Sequence, residues 1–381
     1  MLRFLHISDV HNSADAINEC KSMMDNDSDI AFTILTGDYS SGSGSGSSSY
    51  SNVNAPLTNL GSKLLMVNGN HDVEDAFAKN QQNATAFLKG KVTNNEVVWG
   101  DSQGVASYWY RDFELSENSK LRIIGVDAYE FNTAYGSRYD TVYTQTQIDW
   151  IVARMMELRS TDYFIFAMHE PPVDSTVVDY AYNQQGRMDE DIVAKRRANK
   201  FCSSRLWVWD SSLSNGKLLP MIVKAYKNRS RMATSLQQLN SLTRENILGL
   251  SLGYDFSAQS QQGQAQPATF LCYIGGHLHG EYAEYHPSSL YNDQLMLFVD
   301  NSNPSTLGSS SDIGTRSSDT ASGTRSNGKL INEIALDFEN RTITITRYGQ
   351  QNALSYNGCA AVTRDTISFP FEKLAVNPVS K

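Results

Sequence analysis

Long apolar runs, clustered cysteines and an excess of basic charge are all missing from this 381-residue chain. No stretch approaches the roughly 18 consecutive apolar residues of a membrane-spanning helix. The four cysteines, Cys20, Cys202, Cys272 and Cys359, form no CxxC pair. Scattered in this way, they fit a reduced core better than a disulfide framework or a thiolate zinc site. A formal net charge of -9 argues against a generally basic nucleic-acid coat. The first apolar stretch, residues 2–7, leads straight into a motif with no signal-peptide pattern before it, so the expected location is cytoplasmic. A chain trimmed of a leader would read the same. What is present is an ordinary globular composition, 40% hydrophobic and 10% aromatic, at a length that buries a substantial core.

Within it, one arrangement recurs. The apolar run Phe270-Leu271-Cys272-Tyr273-Ile274 reads as a buried strand and ends in Gly275-Gly276-His277-Leu278-His279. Four upstream runs behave alike. Residues 2–7 deliver Asp9 and His11, and residues 31–35 deliver Gly37-Asp38. Residues 64–67 deliver Gly69-Asn70-His71-Asp72, and residues 163–167 deliver His169. Five of the seven histidines fall in this set. In open α/β sheets the ligand crevice lies at the carboxyl ends of strands, so these residues are expected to converge on a shared metal site.

Between these strands the pattern alternates with helices. Ser13 is a candidate N-cap for a helix burying Ile17, Cys20 and Met24. Thr144-Gln145-Thr146-Gln147 is a capping box that opens a helix with Ile148, Ile151, Val152 and Met155 on its apolar face. Residues 106–110 and 121–126 read as an antiparallel pair. Residues 295–298, 331–338 and 342–348 are strand-like, with Glu339-Asn340 as a hairpin turn.

Asp, Asn and His offer oxygen and nitrogen donors without thiolate, which suits Mn, Fe or Zn. Enough ligands are present for two divalent or trivalent ions bridged by one carboxylate. Two such ions generate a hydroxide nucleophile and stabilise in-line displacement at phosphorus.

Asp-x-His, Gly-Asp, Gly-Asn-His-Asp, a lone His and Gly-His-x-His, in that order, closely resemble the calcineurin-like metallophosphoesterases. The resemblance covers residues 2 to about 280. It implies an α/β (α+β) fold, a four-layer α/β/β/α sandwich of two mixed sheets with a dinuclear metal site at the strand C-terminal ends. By similarity, Asp9, His11 and His279 hold one metal, Asn70, His169 and His277 hold the other, and Asp38 bridges them. His71 resembles the family's general acid, oriented by Asp72. The sequence Gly37-Asp38-Tyr39-Ser40-Ser41 lacks the arginine of protein Ser/Thr phosphatases and the tyrosine ligand of purple acid phosphatases. Asp9-x-His11 with Gly-Asn-His-Asp is most similar to the cyclic-nucleotide phosphodiesterase and general phosphohydrolase branch. That branch usually carries Asp or Asn where Ser41 stands. The implied activity is metal-dependent hydrolysis of a phosphomonoester or phosphodiester.

Residues 187–244 carry twelve Lys/Arg against four acids, leaving the rest of the chain near -17. One reading is an electropositive wall, with Arg196 and Arg197 gripping a nucleotide or polynucleotide, which would make the protein a nuclease. The other is a solvated face that balances the acidic body. A metal-binding interaction module without turnover is a third class. The expected partner is a small phosphoester. The expected layout is a core over residues 1–290, an insertion at about 175–268, and C-terminal strands over 291–381 completing or flanking the second sheet. Residues 40–51, almost all Ser and Gly, read as a flexible loop. His6 reads as structural; Glu170 reads either as facing the site or, with Pro171-Pro172, as a simple change of chain direction, the second being preferred.

Overall fold

The computed structural model describes residues 1–41, 50–73, 77–101, 106–129, 143–170, 218–232, 253–257, 266–277, 282–285, 294–298, 302, 331–348 and 366–372. Its first sheet is built around β1 (Leu2–Ile7), whose last four residues are buried. Helix α1 (Asp15–Asn26) follows, and Ala16, Ile17, Cys20 and Met24 form its buried side. Its N-cap is Ala14 rather than Ser13; Ser13 Oγ instead meets the N–H of Asp15 at 3.5 Å. Strand β2 (Ile30–Thr36), helix α2 (Ser51–Leu60) and strand β3 (Leu64–Val67) come next. β1, β2 and β3 pair in parallel, so all three end on the same edge.

After helix α3 (Phe77–Lys91) the chain builds a second sheet. It contains β4 (Val98–Trp99), β5 (Trp109–Ser116), β6 (Ser119–Gly125), β7 (Tyr163–Ala167), β8 (Thr269–Gly275), β9 (Tyr282–Tyr285) and β10 (Leu295–Phe298). The order is β4-β5-β6-β7-β8-β10-β9, with β6, β7, β8 and β10 parallel. Helix α4 (Gln145–Met156) opens at the expected cap, Thr144 Oγ1 accepting the N–H of Gln147 at 3.2 Å.

The two-residue period of β7 divides its side chains between two cores. Ile165 and Ala167 join a core that runs from α1 and α2 through the first sheet to the inner face of the second. Phe164 and Phe166 join a core against α4 and a further helix, α5 (Leu218–Lys227). In β8 both Leu271 and Cys272 face the first core, because the pairing with β7 slips by one residue there. Trp109 ties the sheets together: its indole N–H donates to the Met66 carbonyl oxygen at 2.7 Å. The result is the expected sandwich of helices, sheet, sheet and helices.

Two expectations about layout change. α5 lies inside residues 175–268, yet Leu218, Leu219, Ile222, Val223 and Tyr226 are buried in the second core. Part of that region is therefore core, because a parallel step from β7 to β8 needs a crossover and α5 lies within it. Of the described strands after residue 290, only β10 joins the second sheet. β11 (Ile331–Asp337), β12 (Thr342–Tyr348) and β13 (Thr366–Pro370) extend the first, in the order β13-β12-β11-β1-β2-β3. β11 covers the open edge of β1 in antiparallel register, Phe4 opposite Ile334. No helix among the described residues is long and apolar enough to cross a membrane.

Candidate metal centre

Strand ends bring the site together. Asp9 and His11 follow β1, Asp38 follows β2, Asn70 and His71 follow β3, His169 follows β7 and His277 follows β8. Their loops are stitched by main-chain bonds: Asp9 N–H to the Gly37 oxygen at 3.1 Å, His11 N–H to that of Asp38 at 2.9 Å, and Gly276 N–H to that of His169 at 2.9 Å. Asp9, His11, Asp38 and His277 all sit in the left-handed region, with φ of 53°, 42°, 52° and 66°. Non-glycine residues there cost about 1–3 kcal/mol each, a strain that surrounding structure sustains mostly at functional sites.

Asp38 is the shared element. Its Oδ1 accepts the main-chain N–H of His71 at 2.9 Å. Its Oδ2 lies 3.3 Å from His169 Nε2, 3.9 Å from His71 Nε2 and 4.0 Å from His11 Nε2. Two clusters with metal-ligating spacing therefore meet at Asp38: one with His11 and His71, the other with His169 and His277. Asn70 belongs to the second, its Oδ1 3.1 Å from His169 Nε2 and 3.0 Å from His277 Nδ1. Asp9 borders the first, with Oδ1 3.9 Å from His11 Nε2 and Oδ2 accepting the His277 N–H at 2.9 Å.

The donor set fits cations. His169 Nδ1 lies 2.7 Å from the Thr36 carbonyl oxygen, an acceptor only, so Nδ1 carries a proton and the inward Nε2 lone pair is what a cation, or in its place a second proton, takes up. That lone pair then faces a carboxylate, an amide oxygen and a second imidazole 3.2 Å away. A first-row cation held at about 2.0–2.2 Å has neighbouring ligand atoms about 2.8–3.6 Å apart, a range that contains all four distances of the second cluster. Charge follows the same logic. Burial opposes protonation of His169, but Asp38 and Asp9 together outweigh it and push its pKa up to about 10. Burial would raise Asp38, and His169, His71 and His11 hold it well below the usual carboxylate range.

Asp72 does not orient the His71 ring. Its Oδ2 accepts the N–H groups of Asp38 and Gly69 at 2.9 and 2.7 Å, and its Oδ1 that of Ser40 at 2.8 Å. The carboxylate is spent on holding the β2 and β3 loops together. Ser40 is accordingly buried and not part of a free loop. His6 is structural as expected: buried in β1, with Nε2 2.9 Å from Thr36 Oγ1. His279, Arg196, Arg197 and residues 42–49 lie outside the described residues.

Two residues beside the site were not assigned to it from sequence. Glu170 does more than turn the chain: it is buried, with Oε1 3.7 Å from His277 Nε2. Tyr129, in the segment that follows β6, donates its phenol hydroxyl to the same oxygen. Glu170, beside His169, had the site as its second reading in sequence. Tyr129 carries no signal in sequence.

Comparison with known proteins bears on this geometry. Among the solved structures that match this chain, three are remote from it in sequence. One is a conserved protein of Streptococcus pneumoniae TIGR4 described as a predicted phosphoesterase, 9% identical, covering 97% of each chain with a TM-score of 0.30. Another is PhoD, 9% identical over 97% of this chain and 70% of that one, TM-score 0.48. The third is the phosphopantetheinyl hydrolase of Mycobacterium tuberculosis, 11% identical over 78% and 89%, TM-score 0.30. No curated protein sequence matches the chain. Sequence decides the family: residues 2–197, just over half of the chain, match the calcineurin-like phosphoesterase pattern. With that match and a carboxylate shared between two histidine clusters, the chain belongs to the calcineurin-like phosphoesterase family and is a metal-dependent phosphoester hydrolase.

Proposed function

We propose that this protein hydrolyses a small phosphomonoester or phosphodiester at a centre in which Asp38 is shared by two cations. One observation carries the assignment of residues: a single carboxylate oxygen faces three imidazole nitrogens that belong to two separate clusters. Asp9 and His11, with His279 by family resemblance, would hold one cation. Asn70, His169 and His277 would hold the other. Paired cations, when bound, supply Lewis-acid charge for the phosphoryl oxygens and for forming the nucleophile. The chain's own task is to keep these donors in place and to protonate the leaving oxygen.

His71 suits that second task. Its main chain is anchored on Asp38, while its side chain is 32% exposed, against 8% for His11 and 0% for His169. Among the described histidines of the set it has the freest access to a substrate arriving from solvent.

The test is hydrolysis of mono- and bis-nitrophenyl phosphate by metal-stripped protein with Mn, Zn or Mg added back. Turnover restored by metal, and abolished in Asp38→Asn, supports the reading; the preferred ester separates monoesterase from diesterase. No turnover with any metal, despite two bound ions in elemental analysis, would remove it for simple esters.

A further inference from the structure

Glu170 follows a ligand-type histidine directly, yet its carboxylate serves a different one. Oε1 lies 3.7 Å from His277 Nε2, and the opposite ring nitrogen, Nδ1, faces Asn70 and His169 at 3.0 and 3.2 Å. His277 therefore has a carboxylate behind it, at ion-pair rather than hydrogen-bond distance, and the cation pocket in front. Because Oε1 already accepts the Tyr129 hydroxyl, it is placed as an acceptor towards His277. It favours the tautomer protonated on Nε2, which leaves the Nδ1 lone pair directed into the pocket. His169 reaches the same state by another route, with the Thr36 carbonyl behind it. The two imidazoles of one pocket are thus backed differently, one by main chain and one by a side chain that must itself be held.

Tyr129 does the holding. Its hydroxyl donates to Glu170 Oε1. Its own backbone is fixed by Asp127, whose Oδ1 accepts the Tyr129 N–H at 2.8 Å and whose Oδ2 receives the Ser107 hydroxyl. Gln147 of α4 grips the Asp127 main chain on both sides: Oε1 accepts its N–H and Nε2 donates to its carbonyl oxygen, each at 2.9 Å. Tyr129, Asp127, Gln147 and Glu170 are all buried. A chain of buried hydrogen bonds therefore runs from α4 through the segment after β6 to Glu170, whose carboxylate stands 3.7 Å behind His277. None of its members belongs to the ligand set.

We infer that Glu170, clamped by Tyr129, is a positioning residue that sets the tautomer and direction of His277 for the cation shared with Asn70 and His169. The inference rests on the metal-centre reading above and assigns to it residues that no ligand motif contains. A ligand histidine whose backing carboxylate is lost typically costs about 10–100-fold in metal affinity.

The experiment is calorimetric titration of the metal-stripped full chain with Mn(II), for wild type, Glu170→Ala, Glu170→Gln and Tyr129→Phe. Thermal unfolding of each metal-free protein is measured beside it. Wild type is expected to bind two ions. In Glu170→Ala one of the two should weaken by about 10–100-fold while the other is held as before. Glu170→Gln and Tyr129→Phe should shift the same ion by less. If Glu170→Ala does not fold, those two milder variants carry the same comparison. Unchanged affinities would overturn the inference. So would equal weakening of both ions with a lowered unfolding temperature, since that is general damage. A wild type that binds fewer than two ions would instead overturn the metal-centre reading beneath it.

Discussion

Asp72 Oδ2 accepts the main-chain N–H of Asp38 at 2.9 Å, across the gap between the β2 and β3 loops. The same carboxylate takes the N–H groups of Gly69 and Ser40, so three donors from two loops end on one side chain. This arrangement is what presents the Asp38 carboxylate to the histidines, although Asp72 touches none of their rings.

Asp72→Ala would leave all three donors without their acceptor in a buried setting. Each unsatisfied group costs about 1–3 kcal/mol, so the expected loss is roughly 3 kcal/mol or more. The urea midpoint of the metal-free variant measures it, and elemental analysis after dialysis should find fewer bound ions. A variant as stable as wild type would remove the clamp role.

Gly276 is required for space. A Cβ there would lie 1.8 Å from Ser8 Oγ and 2.3 Å from Asp9 Oδ2. Neither atom has freedom to retreat, since Ser8 Oγ donates to the Thr36 oxygen at 2.9 Å and both residues are buried. Gly276→Ala should cost about 1–3 kcal/mol from overpacking. It should also move Asp9 off the His277 N–H and weaken metal binding. Gly90 in α3 has nothing within 4 Å of its would-be Cβ. Gly90→Ala should therefore leave metal binding intact and stabilise the helix by up to about 1 kcal/mol. Equal behaviour of the two alanines in thermal unfolding and metal content would refute the steric argument.

The ligand residues were legible because each follows a short apolar run, and parallel strands end on one edge whatever their order. Asp9, Asp38, Asn70, His169 and His277 needed no knowledge of pairing. What was hidden depends on contacts distant in sequence. Asp72 stands beside His71, so proximity suggested a partnership, but its side chain turns back to the β2 loop. Tyr129 reaches Glu170 only because β6 and β7 lie side by side. The pairing of β11 with β1 joins residues more than three hundred apart, and no local pattern reports it. α5 was obscured for a different reason: the apolar face of Leu218, Leu219, Ile222 and Val223 lies in a stretch, residues 187–244, whose dominant feature is basic charge.

His6 makes stability depend on pH. Burial lowers its pKa from 6.5 to about 3 in the folded protein, against a smaller opposing pull from Asp9. Between those values the unfolded chain binds a proton that the folded chain refuses. Stability therefore rises with pH through this window and falls on acidification from about 6.5 towards 3. At pH 4.5 the penalty is on the order of 3 kcal/mol. His6→Gln keeps a donor for Thr36 Oγ1 but does not titrate. Metal-free wild type and variant should differ less in urea midpoint at pH 7 than the acid-induced loss predicts at pH 4.5, where the variant gains on wild type. Parallel curves at both pH values would exclude His6 as the source.

His71 has two possible duties that one pair of substrates separates. Its Nε2 is 3.9 Å from Asp38 Oδ2 and its ring meets that of His11 edge-on, with centroids 4.9 Å apart, so it lies within reach of the first cation cluster. It is also the most exposed histidine among those facing Asp38, as a proton donor to a leaving group must be. A ligand would be needed equally for every ester. An acid is needed only where the leaving oxygen is basic. His71→Ala should therefore cost on the order of 10²–10⁴ in kcat with an alkyl phosphoester and much less with a nitrophenyl ester, whose phenolate departs unaided. The variant should still bind two ions by elemental analysis. Equal losses on both substrates together with one missing ion would make His71 a ligand instead, and the proton would have to come from elsewhere in the site.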